Sequence, residues 1–334
     1  MCGLNQVITI GGIAGGMLLS ATGLSWAAIT PAVYDSSNWR NASATVNNHE
    51  DDGRGDTGTG AGTTVNGSYI TYDLGSATTF SDVSATTWAG GFGAGVAGNF
   101  QIQVSTSDNP LNNDWVTIGT ASNLFPNNPN ISGEQNIGQR FYFPEQTKRY
   151  FRYVNDNPSG PYSLWLTELQ LQRPVVVLSA ANNTNNNFPI NNSTDGDINS
   201  FANNSGESGN YVLDVLQQAG QDISGLTIAA RQAAFWNGPK DVQVFYSPTD
   251  DVNNLTTLLA SATLPETAAT QTITFSSPVD ARYFKLVWAN TNEPGQGVTQ
   301  IAEIGATYSA VPEPASLGLF AGAALMLIRR RKRN

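Results

Sequence analysis

The sequence predicts an all-β chain of two tandem β-sandwiches, and three observations carry the prediction. Apolar residues alternate with period two in short runs bounded by Gly, Asn, Pro and Asp; the same series of runs occurs twice; and the long uncharged apolar stretches lie at the two ends of the 334 residues.

The alternation is clearest at Ile102 and Val104, Leu169 and Leu171, Val242 and Val244, Ile273 and Phe275, and Phe284 and Leu286. Each run is about five to seven residues, the length of a strand with one face in a core. Residues 255–262 come nearest to a helical period and are too short to change the class.

The repeat shows in four places. Residues 48–57 fall on 191–200, setting Asp52-Gly53 on Asp195-Gly196 and Thr57 on Ser200. Residues 101–107 fall on 241–247, and 149–154 (Arg-Tyr-Phe-Arg-Tyr-Val) on 282–287 (Arg-Tyr-Phe-Lys-Leu-Val). A glutamate flanked by apolar residues follows in each copy, Glu168 and Glu303. The offsets of 143, 140 and 133 drift as loop lengths would, giving domains at 31–173 and 174–309 that meet near Arg173-Pro174.

Charge and composition exclude several functions. The chain has 16 cations, 26 anions and a net charge of −10, and five cations stand together at 329–333. A surface this acidic repels phosphate backbones, so nucleic acid is not an expected partner. Only 13% of residues are charged, so Asn, Ser, Thr and Gly finish the surface. The single cysteine, Cys2, lies in the N-terminal segment, and His49 is the one histidine, which leaves no disulfide, no thiolate metal site and little basis for a Ser-His-Asp triad.

The apolar run 7–28 ends in small residues, with Ser25 and Ala27 placing a cleavage before Ala28, so 1–27 reads as a signal peptide. It departs from the usual pattern in having no Lys or Arg among its first six residues. At the other end (311–334) come Pro312, Glu313 and Pro314, an apolar stretch at 315–328, and the basic cluster Arg329, Arg330, Arg331, Lys332 and Arg333. Fourteen apolar residues fall short of the ~20 that span a bilayer comfortably, and the cations after them act as a stop-transfer signal. This three-part tail resembles the PEP-CTERM sorting signal of Gram-negative, exopolysaccharide-producing bacteria. The resemblance implies recognition by an exosortase, transient anchoring of a C-terminal helix in the inner membrane, and delivery to the cell surface or extracellular matrix.

The repeated residues carry a second resemblance. The opening Asn191 to Asp197, the Gly-Pro-Lys-Asp-Val-Gln-Val-Phe-Tyr-Ser of mid-domain, the Arg-Tyr-Phe-Lys-Leu-Val strand and the closing Ala-Glu-Ile-Gly resemble the discoidin, or coagulation-factor C-type, domain of the galactose-binding-like superfamily. The first copy keeps Tyr72-Asp73-Leu74-Gly75, the aromatic-basic strand and Leu-Thr-Glu-Leu, with a divergent glycine-rich middle. The resemblance implies jelly-roll sandwiches and a structural Ca²⁺ where the Asp-Gly turn meets the late glutamate. Its ligands would be Asp195, Asp197, Ser200 and Glu303 in the second copy, and Asp52, Thr57 and Glu168 in the first, where Arg54 stands in place of Asp197. Calcium takes carboxylate, carbonyl and hydroxyl oxygens, which such a turn supplies. Otherwise these residues cap turns and strand edges.

Ligand binding in the superfamily uses loops at one end of the sandwich. Candidates are Arg231, Phe235, Trp236 and Asn237 in the second copy, and Trp88 and Phe92 in the first, because planar rings stack on sugar faces at little entropic cost. Trp115, Trp165 and Trp288 stand in strand-like runs and read as packing. Arg54-Gly55-Asp56 falls inside a turn of the domain, and no pair of carboxylates is singled out for glycoside hydrolysis. The expected function is non-catalytic: an exported surface or matrix protein whose modules bind extracellular polysaccharide. The alternative is a structural or adhesion protein with no sugar pocket, joined to proteins or to calcium-bridged polymers. Exposure of Phe235 and Trp236 distinguishes the two.

Overall fold

The computed structural model describes residues 28–38, 42–46, 61–63, 65–89, 95–96, 99–122, 135–156, 164–166, 168–181 and 190–311. The segment 1–27, Asp52, Thr57, Phe92 and the tail with Pro312, Glu313, Pro314, Arg329, Arg330 and Arg331 lie outside these, as do the side chains of Trp88, Trp165 and Phe235. Among the described residues no helix is long and apolar enough to cross a membrane.

The first module runs β1 (Ala32–Ser37), β2 (Ala61–Thr63), β3 (Tyr69–Ala89), β4 (Gly95–Val96), β5 (Phe100–Ser105), β6 (Trp115–Ala121), β7 (Gln135–Asn155), β8 (Leu164–Leu166) and β9 (Glu168–Gln170). Its main sheet has the order β1-β3-β7-β5-β6, with β9 also on β3, and a small sheet has the order β2-β8-β4. Strands β3 and β7 are each 21 residues long and pair antiparallel, with register shifts between Asp73 and Thr78 and between Phe80 and Asp82. Such irregularities bend a strand, letting one chain segment serve both layers.

The second module runs β10 (Val175–Ala181), β11 (Ala202–Ser205), β12 (Gly209–Val215), β13 (Gln221–Ala230), β14 (Asp241–Tyr246), β15 (Thr257–Thr263), β16 (Gln271–Val279), β17 (Tyr283–Trp288) and β18 (Val298–Ala310). These form two sheets, β10-β12-β17-β14-β15 and β11-β18-β13-β16. The two long strands of the first module are here cut in two. The run at 255–262 is largely strand β15, as expected of a sandwich. The described residues are all-β, two tandem jelly-roll sandwiches.

Period two explains the cores. In β17, Phe284, Leu286 and Trp288 are buried while Tyr283, Lys285 and Val287 are half-buried. Trp288 donates its indole N–H to Thr299 Oγ1 at 3.0 Å and meets Tyr211 edge-on at 5.2 Å. Gly209 lies beneath it, where a Cβ would come within 2.5 Å of the indole. In the first module Tyr72 stacks on Phe151 at 4.9 Å and Phe100 on Tyr153 at 4.8 Å.

The copies share two devices. Asp73 pairs with Arg149 in the first module, Nε to Oδ1 at 2.7 Å, and Asp214 pairs with Arg282 in the second, Nη2 to Oδ2 at 2.6 Å. Asp108 and Asp250 both adopt left-handed backbone (φ 54° and 52°) and accept the N–H of Arg149 at 2.8 Å and of Arg282 at 2.9 Å. The side chains of Ser105 and Ser247 each accept a backbone N–H four residues on. This sets Ser105 on Ser247 and Asp108 on Asp250, two residues away from the sequence alignment of 101–107 with 241–247. A two-residue slip keeps every side chain on its own face, so hydrophobic alternation does not detect it.

The modules are joined through buried charge. Arg140 of β7, fully buried, donates Nη1 to Asp82 Oδ2 at 2.7 Å, Nε to Asp214 Oδ1 at 3.3 Å and Nη2 to the carbonyl of Arg173. Arg173, in the connector, donates Nε to the Thr194 carbonyl at 2.5 Å and Nη2 to Thr194 Oγ1 at 2.8 Å.

Candidate functional site

One end of the second module gathers two groups of predicted residues. The first is the turn after a short 3₁₀ turn (Ile190–Ser193). Gly196 takes a φ of 87°, which lets the chain reverse and aim backbone N–H groups inward. Asp195 is 3% exposed, and its Oδ1 accepts the Asp197 N–H at 2.9 Å while its Oδ2 accepts the Ser200 hydroxyl at 2.6 Å. Glu303, from β18, accepts the Gly196 N–H through Oε2 at 3.0 Å. Asp197 is exposed, and its Oδ1 caps its own turn by accepting the Asn199 backbone N–H at 2.9 Å. Asp195, Ser200 and Glu303 thus come together, with Asp197 at the rim.

Asp195 and Glu303 line a crevice of about 380 Å³ that also touches Thr194, Gly196, Thr227 and, from the first module, Thr30 and Gln170. Burial pushes the Asp195 carboxyl up to about 6, against the pull of its bonds to Ser200 and Asp197 and of the Arg173 charge. Among the described residues no three His, Cys, Asp or Glu side chains converge. A cation here would therefore rest on two carboxylates completed by carbonyl and hydroxyl oxygens, a donor set that suits calcium. In the first module Glu168 is buried in β9 opposite Thr86 of β3.

The second group lies in the connection from β13 to β14. Arg231 is half-buried with its guanidinium 4.1 Å over the ring of Phe201, and its Nη1 donates to Gln300 Oε1 at 3.4 Å. Gln300 in turn donates to Asn203 Oδ1 at 3.3 Å. Residues Phe235–Asn237 form a 3₁₀ turn on which Trp236 is half-buried. The Trp236 carbonyl accepts the Glu293 N–H at 2.9 Å, tying this loop to the one before β18. Asn237 faces inward, 8% exposed, and its Oδ1 is buried with no hydrogen-bond partner. In the first module Trp88 sits in β3 opposite Asn136.

Sequence reasoning missed Phe201, Asn203 and Gln300. Phe201 directly follows Ser200, so the acidic turn and the ring under Arg231 are consecutive along the chain. That adjacency is the signal that could have found it.

A family model described as the F5/8 type C domain matches residues 27–167 and again 178–304. No curated protein matches the chain. Similar solved structures include the family 32 carbohydrate-binding module of Clostridium perfringens NanJ in complex with galactose, 20% identical over 40% of this chain and 93% of that one, with a TM-score of 0.34. The CBM32-1 and CBM32-2 domains of C. perfringens ZmpB in complex with GalNAc are 8% identical over 84% of this chain and 90% of that one, at 0.34. A fucolectin from striped bass serum is 14% identical over 85% of this chain and 96% of that one, at 0.30.

Proposed function

We propose, for a chain that belongs to the F5/8 type C domain family, that its tandem sandwiches are non-catalytic modules binding extracellular carbohydrate. The observation that supports this most is the patch at one end of the second module. There Arg231 is stacked on Phe201 and bonded to Gln300, with Trp236 half-exposed on the neighbouring loop. The planar Arg231 cation and the partly exposed Trp236 ring offer a sugar hydrogen-bond donors and a flat apolar face, while Phe201 and Gln300, both buried, hold Arg231 from beneath.

A structural calcium ion belongs to the same proposal, held by Asp195, Ser200 and Glu303 with carbonyls of the turn, while Asp197 caps the turn at its rim. Its chemistry would be to neutralise the buried carboxylate. The chain's own part is to fix the turn whose next residue, Phe201, carries Arg231. In the first module the corresponding residues are Asp52, Thr57 and Glu168.

Export through 1–27, exosortase sorting through the tail and residence at the cell surface complete the reading. Calorimetric titration of neutral polysaccharides tests it. Trp236→Ala and Arg231→Ala are each expected to weaken binding about tenfold or more with the melting temperature retained; full affinity in both variants overturns the assignment of this face.

A further inference from the structure

The outward face of the first module's main sheet carries a row of paired residues across all five strands. Asp35 stands opposite Thr71, Thr71 opposite Arg152, Arg152 opposite Gln103, and Gln103 opposite Thr117. Within the row Arg152 is clamped. Its guanidinium carbon lies 3.9 Å from the ring centre of Tyr69 and 3.9 Å from that of Trp115, and its Nε donates to Thr71 Oγ1 at 2.8 Å.

Two stacked rings and a fixed Nε set the plane of the guanidinium before anything binds. Among the described residues no carboxylate forms an ion pair with it. Of the nearby acids, Asp35 acts on Arg152 through its charge without an ion pair while accepting the Ser36 N–H at 2.7 Å and the Tyr69 hydroxyl at 3.5 Å, and Asp156 accepts from Gln101 at 3.4 Å. Gln101, Gln103 and Thr117 form their own amide and hydroxyl cluster beside the clamp, with Thr117 Oγ1 2.9 Å from Gln101 Oε1. Trp115, read from sequence as packing, is half-buried on this outer face.

Among the described residues the second module has no counterpart. Lys285 takes the place of Arg152, between Val212 and Phe245. A lysine is a point charge without a planar fork.

We propose that this sheet face is a second binding site, in which Arg152 receives one carboxylate of a uronate-bearing polysaccharide while Gln101, Gln103 and Thr117 bond its hydroxyls. An oriented fork matches the two oxygens of a carboxylate, and the amide and hydroxyl groups of Gln101, Gln103 and Thr117 stand beside it on the neighbouring strands, with Thr71 buried beneath. The choice of a polysaccharide as bearer of the carboxylate rests on the function proposed above; the clamp does not, and the two are tested separately.

The experiment is calorimetric titration of the protein in chelator with polygalacturonate, its methyl ester and polyglutamate. The free acid is expected to bind and the ester to fail. Arg152→Lys should weaken binding about tenfold, and Thr117→Val, an exposed position, should weaken it several-fold without altering the melting temperature. Equal binding of ester and acid, or full affinity in both Arg152→Lys and Thr117→Val, overturns the site. Binding of polyglutamate without polygalacturonate overturns the uronate assignment alone.

Discussion

Asp195 shows how one residue can link stability to an ion. Its carboxyl rises from the usual 3.8 to about 6 because burial penalises the charge. The unfolded chain therefore ionises first, and between about pH 4 and 6 the folded state holds more protons at this position. Stability from Asp195 is thus complete below pH 4 and falls as pH rises toward 6, by an upper limit of roughly 3 kcal/mol. A bound divalent cation reverses the sign by favouring the carboxylate. Melting temperature measured from pH 4 to 7 in chelator should fall less steeply for Asp195→Asn than for the wild type. Added calcium should raise the wild-type curve at pH 7 and leave the variant in place. Parallel curves for the two proteins would remove Asp195 from both roles. Asn237 carries the opposite lesson, since an amide singled out for ligand contact is 8% exposed and belongs to the loop's interior.

Among the elements, strands were legible and their exact correspondence was not. Residues such as Phe284, Leu286 and Trp288 alternate because a sandwich strand has one wet and one dry face, and that period survives in sequence. The same period hides slips of two, which is why the turn residues Asp108 and Asp250 did not align until their backbone was seen. Their role is local and testable. Asp250 sits at φ 52° and its Oδ1 accepts the Arg282 N–H at 2.9 Å, fixing how β17 begins. Asn tolerates left-handed backbone and offers the same acceptor oxygen; alanine does neither. Asp250→Asn should unfold in urea near the wild-type midpoint, and Asp250→Ala should lose about 1–2 kcal/mol. Of the candidate ligand site, Arg231 and Trp236 were legible as a loop with aromatic and basic character. Phe201, Asn203 and Gln300 were not, because their convergence depends on β11 pairing with β18 across nearly a hundred residues.

At the scale of the molecule, the contact between modules is the feature least visible in sequence, since Asp82, Arg140 and Asp214 each read as an ordinary charge in a strand. Arg140 spends its donors on both modules and the connector, on Asp82, Asp214 and the Arg173 carbonyl. Arg282 shares Asp214 and lies 4.6 Å over the ring of Tyr142, so a cation of the second module also packs on the first. Burial pushes the Asp82 carboxyl above its ordinary range even beside Arg140, so with the arginine removed Asp82 takes up a proton, while Asp214 keeps Arg282. Breaking a buried pair from one side costs about 3–5 kcal/mol, and here the loss falls on the surface that couples two folding units. Wild type should therefore unfold in one calorimetric transition. Arg140→Ala should melt earlier and in two, because each sandwich keeps its own core while the bonds between them are gone. Replacing Arg140 by Met together with Asp82 by Leu removes the charges in pairs and should recover much of the lost melting temperature but not the single transition, since the link to Asp214 is still absent. One transition in both variants would show that apolar packing along β7 and β10, and not the charge network, makes the two modules a single body.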